Sequence, residues 1–173
     1  MRIFLVGLPG SGKSTLGRQL SRLMQVDFFD LDHEIVHVAR MPISEVFQKQ
    51  GEDYFRELER DTLDKLSLEH SSFVMATGGG TPCFHKNMDK MNHMGITVFI
   101  DIPSQMIIGR MSKKGMAARP LFSSLDPENM VAEFDQKFSY RMPYYQQAKI
   151  NISGDYVTPE RIMHLVSVHQ ENR

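Results

Sequence analysis

The sequence predicts an α/β fold built on a parallel sheet, and three observations carry that expectation. Short apolar runs recur along the chain, with stretches of helical spacing between them. The first run leads through a glycine-rich turn straight into an amphipathic helix. Strands that alternate with helices in this way imply a parallel sheet covered by its crossover helices.

The elements follow in chain order. Residues 3–6 read as the first buried strand, and residues 13–24 as a helix in which Leu16, Leu20, Leu23 and Met24 form one apolar stripe. Residues 28–31 are a shorter strand candidate, placed between that helix and the helical stretch after Asp32. Residues 73–76, 98–102 and 150–152 complete the strands. Asp126-Pro127 supplies an N-cap and a first-turn proline for a helix expected to end before Pro143. Thr158-Pro159 repeats the device ahead of Ile162, Leu165 and Val166. Between residues 111 and 126 the sequence is basic, contains Gly115 and Pro120, and has no sustained period, so a mobile loop is expected there.

Composition narrows the function classes. A chain of 173 residues suits one α/β domain with a real core. Its 20 basic and 21 acidic residues leave a net charge of -1, so no overall field favours nucleic acid or an anionic membrane. The lone Cys83 has no internal disulfide partner, and the apolar run over residues 3–8 is too short for a signal-peptide core or a membrane span. A cytoplasmic, monomeric protein acting on small molecules is expected. The 13 methionines are spread along the chain and read as core filling.

The most specific motif is Gly7-Leu-Pro-Gly-Ser-Gly12-Lys13-Ser14, which fits G-x-x-x-x-G-K-[ST] between a strand and a helix. Successive backbone N–H groups in such a loop face a phosphate, the helix N-terminus adds a positive dipole, lysine reaches the β and γ phosphates, and the hydroxyl ligates magnesium. Gly10, Ser11, Gly12, Lys13, Ser14 and Thr15 are therefore the candidate nucleotide-binding residues, with Lys13 catalytic and Ser14 a magnesium ligand. The motif alone does not separate a kinase from a GTPase or a switch, but no guanine-specific Asn-Lys-x-Asp loop is present.

Other candidates are weaker one by one. If the strand over 28–31 continues, Asp30 and Asp32 share one face at its carboxyl end, where open α/β sheets bind ligands; Asp32 could equally start the next helix as a cap. Gly78, Gly79 and Gly80 follow the strand over 73–76 and allow close approach of a ligand, or form an ordinary turn. Arg56 and Arg141 each sit in an i,i+4 charge series, Glu52-Arg56-Arg60 and Glu133-Lys137-Arg141, that would suit a solvated surface. Arg119, beside Pro120 in the basic loop, could close over a reacting phosphoryl group. His33-Glu34-Ile35-Val36-His37 satisfies the zinc-protease pattern H-E-x-x-H, with no third ligand evident.

Taken in order, the phosphate loop, Asp30-Leu31-Asp32, Gly51-Glu52 with Phe55-Arg56, the triplet Gly78 to Gly80, Arg110 with Arg119-Pro120-Leu121, and Arg141 with Tyr144 or Tyr145 resemble the shikimate kinase family. The family belongs to the nucleoside-monophosphate-kinase-like branch of P-loop proteins, and the resemblance spans residues 7 to 148. It implies a three-layer α/β/α fold with a five-stranded parallel sheet of order 2-3-1-4-5, an acceptor-binding helical region over about 33–60 and a lid over about 111–125. It further implies ATP-dependent phosphorylation of the 3-hydroxyl of shikimate, with Mg2+. By similarity Asp30 joins Ser14 in the magnesium shell and Asp32 orients the attacking hydroxyl. Arg56, Gly78, Gly79, Gly80 and Arg141 hold the acceptor, Arg110 lies against the adenine, and Arg119 reaches over from the lid. The sequence departs from the family pattern at Phe122 and at Leu31, neither of which removes a functional group; the adenine-side loop near Gly154 and Asp155 is too variable to carry over. The alternatives are another small-molecule P-loop kinase, acting on gluconate or a nucleotide, and, more remotely, a zinc hydrolase.

Overall fold

A computed structural model describes residues 1–110, 129–154 and 156–172. Five strands, β1 (Arg2–Val6), β2 (Asp27–Asp30), β3 (Phe73–Ala76), β4 (Ile96–Asp101) and β5 (Ile150–Ser153), form one sheet in the order β2-β3-β1-β4-β5. Every pairing is parallel, with Ile3 opposite Val74 on one side and Ile96 on the other. The central strands are buried on both faces, which is why they read as continuous apolar runs rather than as alternation.

The helices are α1 (Lys13–Met24), α2 (Leu31–Ala39), α3 (Ile43–Glu69), α4 (Asn87–Met94), α5 (Ser104–Arg110), α6 (Met130–Phe138), α7 (Met142–Tyr145) and α8 (Pro159–Glu171). Helix α1 has the expected bounds, but its buried face is Lys13, Gly17, Leu20 and Ser21, and Leu23 is exposed. The reason is Gly17: a Cβ there would lie 2.7 Å from the Phe28 ring and 3.2 Å from Leu5, so the helix rests on the sheet through its backbone. Thr158 caps α8 as expected, its Oγ1 accepting from Arg161 N at 3.2 Å, and Ile162 and Val166 are buried beneath. Met75, Met88 and Met91 fill the core. No helix among the described residues is long and apolar enough to cross a membrane.

Two further expectations need correction. Leu31 does not extend β2. Its pairing ends at Asp30 opposite Ala76, and Leu31 instead opens α2, where it and Ile35 bury one helical turn apart. The helix expected to run up to Pro143 is also broken, into α6, a 3-10 turn (Ser139–Arg141) and α7. Pro143 has no N–H for the carbonyl four residues back, so it sits in the first turn of a new helix instead. The loop expected over 111–125, the Asp126-Pro127 helix start and Asp155 lie outside the described residues.

Within α3 the backbone leaves helical geometry at Gly51, where φ is 84°. The chain there kinks between Ile43 and Glu69, and a side chain would resist that torsion. Gly7, at the end of β1, is constrained more severely: φ is 144° and an added Cβ would lie 2.7 Å from the Ile100 carbonyl oxygen. Gly7→Ala is expected to cost about 2–3 kcal/mol and to lower the melting temperature by roughly 4–10 °C. A melting curve that overlays the unsubstituted protein would contradict this account of the β1 terminus.

Candidate active site

The phosphate loop joins β1 to α1 at the carboxyl edge of the sheet. Gly12 caps α1 in a left-handed conformation, no side chain caps the helix, and its first turn holds no acidic residue. No carboxylate of the helix's own first turn therefore neutralises its positive end. Lys13 is only 7 % exposed. Its Nζ donates to the carbonyls of Gly7 and Leu8, both at 2.9 Å, and to Ser11 Oγ at 3.5 Å. Ser11 is buried, Ser14 half-buried and Thr15 exposed along the same stretch.

Asp30 and Asp32 reach this edge by a route other than strand alternation. Asp30 is the last residue of β2 and the N-cap of α2, yet its side chain makes no cap hydrogen bond; Asp32 is the second residue of α2. Capping therefore does not account for either carboxylate. Asp32 Oδ1 lies 2.8 Å from where a Cβ on Gly78 would stand. Burial above all, then the like charges of Asp30 and Glu59, push the Asp32 carboxyl up to about 6, against the pull of Lys13 and His33.

The glycine triplet is where the site comes together, because each glycine admits a different functional group. A Cβ on Gly78 would meet Asp32 and also Glu59 Oε1 at 3.1 Å. On Gly79 it would meet Arg141 Nη1 and Pro9 of the phosphate loop, all at 3.0 Å, and on Gly80 the Arg56 guanidinium nitrogens at 2.8 and 2.9 Å. The triplet is thus no ordinary turn: its missing side chains make the space that two arginines and two carboxylates occupy.

Arg56 is buried, contrary to the solvated-surface alternative, with 9 % of it exposed. Its Nη1 donates to Glu59 Oε2 at 2.9 Å, while Nε and Nη2 donate to Glu52 Oε1 at 3.2 and 3.1 Å. The guanidinium carbon stands 4.0 Å from the centre of the Phe84 ring. The i,i+4 pair with Glu52 is thus present, and Arg60, the last member of the charge series, pairs with Asp61. The 3-10 turn takes Arg141 off the helical row of Glu133 and Lys137. Its Nε donates to Tyr140 Oη at 2.9 Å, and its guanidinium lies over the Phe138 ring.

Sequence reasoning missed Glu59 altogether. It is 1 % exposed and accepts from Arg56 and, at 2.5 Å, from Thr81 Oγ1. The i,i+3 spacing to Arg56 was visible, but a glutamate three residues from an arginine is common on solvated helices. Between Tyr144 and Tyr145 the structure decides: Tyr145 is fully buried and donates to the Gly79 carbonyl at 2.5 Å, whereas Tyr144 is exposed. Burial raises the Tyr145 phenol well above its ordinary range, so it remains a donor. It also raises the Cys83 thiol to about 11, which leaves little thiolate for nucleophilic chemistry.

Arg110 ends α5 and is exposed. Arg119 lies outside the described residues. His33 and His37 are both on the exposed face of α2, and among the described residues no group of three histidine, cysteine or acidic side chains is placed to hold a metal ion.

A parallel sheet in this order, with the phosphate loop after its middle strand and carboxylates and arginines gathered at the same edge, defines a P-loop kinase. The chain belongs to the shikimate kinase family, whose profile matches residues 9–168. It is 38 % identical over 160 residues to a shikimate kinase of Phocaeicola vulgatus, covering 92 % of this chain and 90 % of that one. It is 39 % identical over 146 residues to a shikimate kinase of Clostridium botulinum, covering 84 % and 83 %. Among solved structures, the shikimate kinase of Bacteroides thetaiotaomicron superposes with a TM-score of 0.85 at 33 % identity, covering 98 % of both chains. That of Acinetobacter baumannii, in complex with shikimate, gives 0.83 at 30 % identity, covering 99 % of this chain and 94 % of the other.

Proposed function

We propose that this chain transfers the γ-phosphoryl group of ATP to the 3-hydroxyl of shikimate, with Asp32, Arg56, Arg141 and the triplet Gly78 to Gly80 forming the acceptor site. The observation that carries the reading is the convergence of two guanidinium groups and two carboxylates, Asp32 and the Arg56-bound Glu59, on three consecutive glycines. A hydroxylated acid needs both kinds of group: cations for its carboxylate and an acceptor for the proton of its attacking hydroxyl. The shikimate bound to the Acinetobacter baumannii relative supports the choice of acid.

In this reading the N–H groups of Gly10, Ser11, Gly12, Lys13, Ser14 and Thr15 cradle the phosphates, and the Lys13 ammonium leaves its loop carbonyls for the β and γ oxygens. Asp32 orients the acceptor hydroxyl and takes its proton. A carboxyl poised at about 6 is a stronger base than an ordinary aspartate and is still mostly ionised at pH 7. Arg110 lies against the adenine and Arg119 reaches the transferring group. Asp30, which is not engaged as a cap, and the Ser14 hydroxyl are hard oxygen donors suited to Mg2+, which takes one or two protein ligands alongside substrate phosphates. Bound there, the ion neutralises charge on the phosphates. The protein acts as a single-domain monomer in the cytoplasm; the single cysteine, which has no internal disulfide partner, supports the reducing compartment.

The acceptor assignment is tested from both sides. Replacing Arg56 or Arg141 by Ala is expected to lower kcat/KM for shikimate roughly 30-fold to 1000-fold, and Lys to be nearly as harmful, because a point charge cannot make two parallel bonds to a carboxylate. Shikimate methyl ester should be a very poor acceptor for the unsubstituted enzyme, and both Ala variants should discriminate far less between acid and ester. Equal use of acid and ester would return both arginines to a structural role.

A further inference from the structure

We propose that Thr81 is a positioning residue for the acceptor site: its hydroxyl fixes the buried Glu59 carboxylate, and Glu59 sets the angle at which Arg56 presents its guanidinium. The inference rests on reading Arg56 as a partner of the acceptor's carboxylate.

Thr81 is fully buried and opens the 3-10 turn Thr81–Cys83 directly after the glycine triplet. Its backbone is held from both sides. Its N–H donates to the Gly78 carbonyl at 3.2 Å, and its own carbonyl accepts from Nδ2 of Asn87, itself fully buried, at 3.1 Å. A β-branched side chain on a backbone so held has few rotamers to choose from, so its hydroxyl is a fixed donor. That donor meets Glu59 Oε1 at 2.5 Å, and the other carboxylate oxygen accepts from Arg56 Nη1 at 2.9 Å. Glu59 thereby ties helix α3 to the turn after β3.

The two edges of the Arg56 guanidinium differ in character. The Nε and Nη2 edge meets Glu52, whose side chain is 56 % exposed, and an ion pair so wet is readily exchanged for another anion. The Nη1 corner meets the 1 % exposed Glu59 carboxylate in a buried hydrogen bond, while the guanidinium as a whole lies beside Gly80 and over the Phe84 ring. The buried corner therefore sets the orientation, and the outer edge is what remains for an incoming carboxylate. Without the Thr81 hydroxyl, Glu59 Oε1 keeps its burial and loses that donor. The carboxylate must then rotate, take a proton or recruit a second nitrogen of Arg56, and each response turns the outer edge. Two parallel hydrogen bonds are sensitive to such an angle, so the effect should fall on acceptor binding rather than on phosphoryl transfer.

The test measures kcat, KM for shikimate, KM for ATP and melting temperature for Thr81→Val, Thr81→Ser, Arg56→Ala and the double variant Arg56→Ala with Thr81→Val. Thr81→Val is expected to raise the KM for shikimate roughly 5- to 30-fold, with kcat and the KM for ATP within about threefold. Thr81→Ser, which keeps the donor, should restore the KM to within about threefold of the unsubstituted enzyme even where its melting temperature is lower. In the Arg56→Ala background the valine substitution should add nothing. A Thr81→Val enzyme with an unchanged KM, a loss that serine does not rescue, or an equal further rise in the Arg56→Ala background would each overturn the proposal. Arg56→Ala with an unchanged KM would instead count against the acceptor-site reading itself, whatever the threonine variants do. Should Thr81→Val fail to fold, Thr81→Ala is read by the same criteria.

Discussion

Lys13→Met is expected to abolish turnover while the protein stays folded. The Lys13 ammonium is held on the Gly7 and Leu8 carbonyls at the entrance to α1, within reach of any phosphate cradled by the loop. Methionine keeps the apolar stem and removes the charge, so the transferring phosphoryl group loses the ammonium that the proposed mechanism assigns to it. The rate should fall by a factor of at least about a hundred. Stability should change much less: two carbonyls lose a donor, a cost of about 1–2 kcal/mol partly offset by no longer burying an ammonium, or a few degrees in melting temperature. A coupled ADP-release assay and a melting curve on the same preparation separate the two effects. More than about a tenth of the activity surviving would mean that the phosphate loop does not work as described.

Asp32→Asn should move activity and stability in opposite directions. In the proposed role of Asp32, orienting and deprotonating the acceptor, loss of its carboxylate is expected to lower kcat by roughly 100- to 10,000-fold. The stability effect follows from the sign of the shift. The folded-state value of about 6 stands above the ordinary 3.8, so the folded protein holds this proton more tightly than the unfolded chain does. The contribution of Asp32 to wild-type stability therefore declines as pH rises from about 4 to about 6, and above that the full cost of a charged carboxylate beside Asp30 and Glu59 is present. Asparagine carries no charge at any pH. The variant should be more stable than wild type by on the order of 1–2 kcal/mol at pH 7, with the difference vanishing near pH 4. Urea midpoints at pH 4, 5 and 7 in metal-free buffer measure this. A variant less stable than wild type at pH 7 would show that the carboxylate is held by favourable contacts rather than crowded by like charges.

The two kinds of candidate in the sequence fared differently for a physical reason. The phosphate loop was legible because its strand, turn and helix are contiguous, and the geometry that makes it bind is local. The i,i+4 series around Arg56 and Arg141 were ambiguous because the same spacing serves a wet helix face and a buried ion pair. For Arg56 the difference is supplied by Gly80 and Phe84, which come from the turn after β3. Asp30 and Asp32 do lie at the carboxyl edge of the sheet, but not by strand alternation. Alternation along a strand assumed that β2 continues through Leu31, but burying Leu31 and Ile35 on one face favours starting a helix there.

What the sequence determined by itself was the part encoded in short-range patterns. The apolar runs specify the central strands, the stripe and its glycine turn specify α1 and the nucleotide loop, and the order of motifs identifies the family. Only the tertiary structure decided which charged groups are buried and gathered at one edge of the sheet, because the energy of a charge depends on how much solvent it loses and on what faces it. Glu59 becomes an internal anion through Thr81, 22 residues away, and Tyr145 pins Gly79 across 66 residues. Those partners arrive from separate elements that the parallel crossovers bring to one edge of the sheet, and no local spacing in the chain records the distance between them.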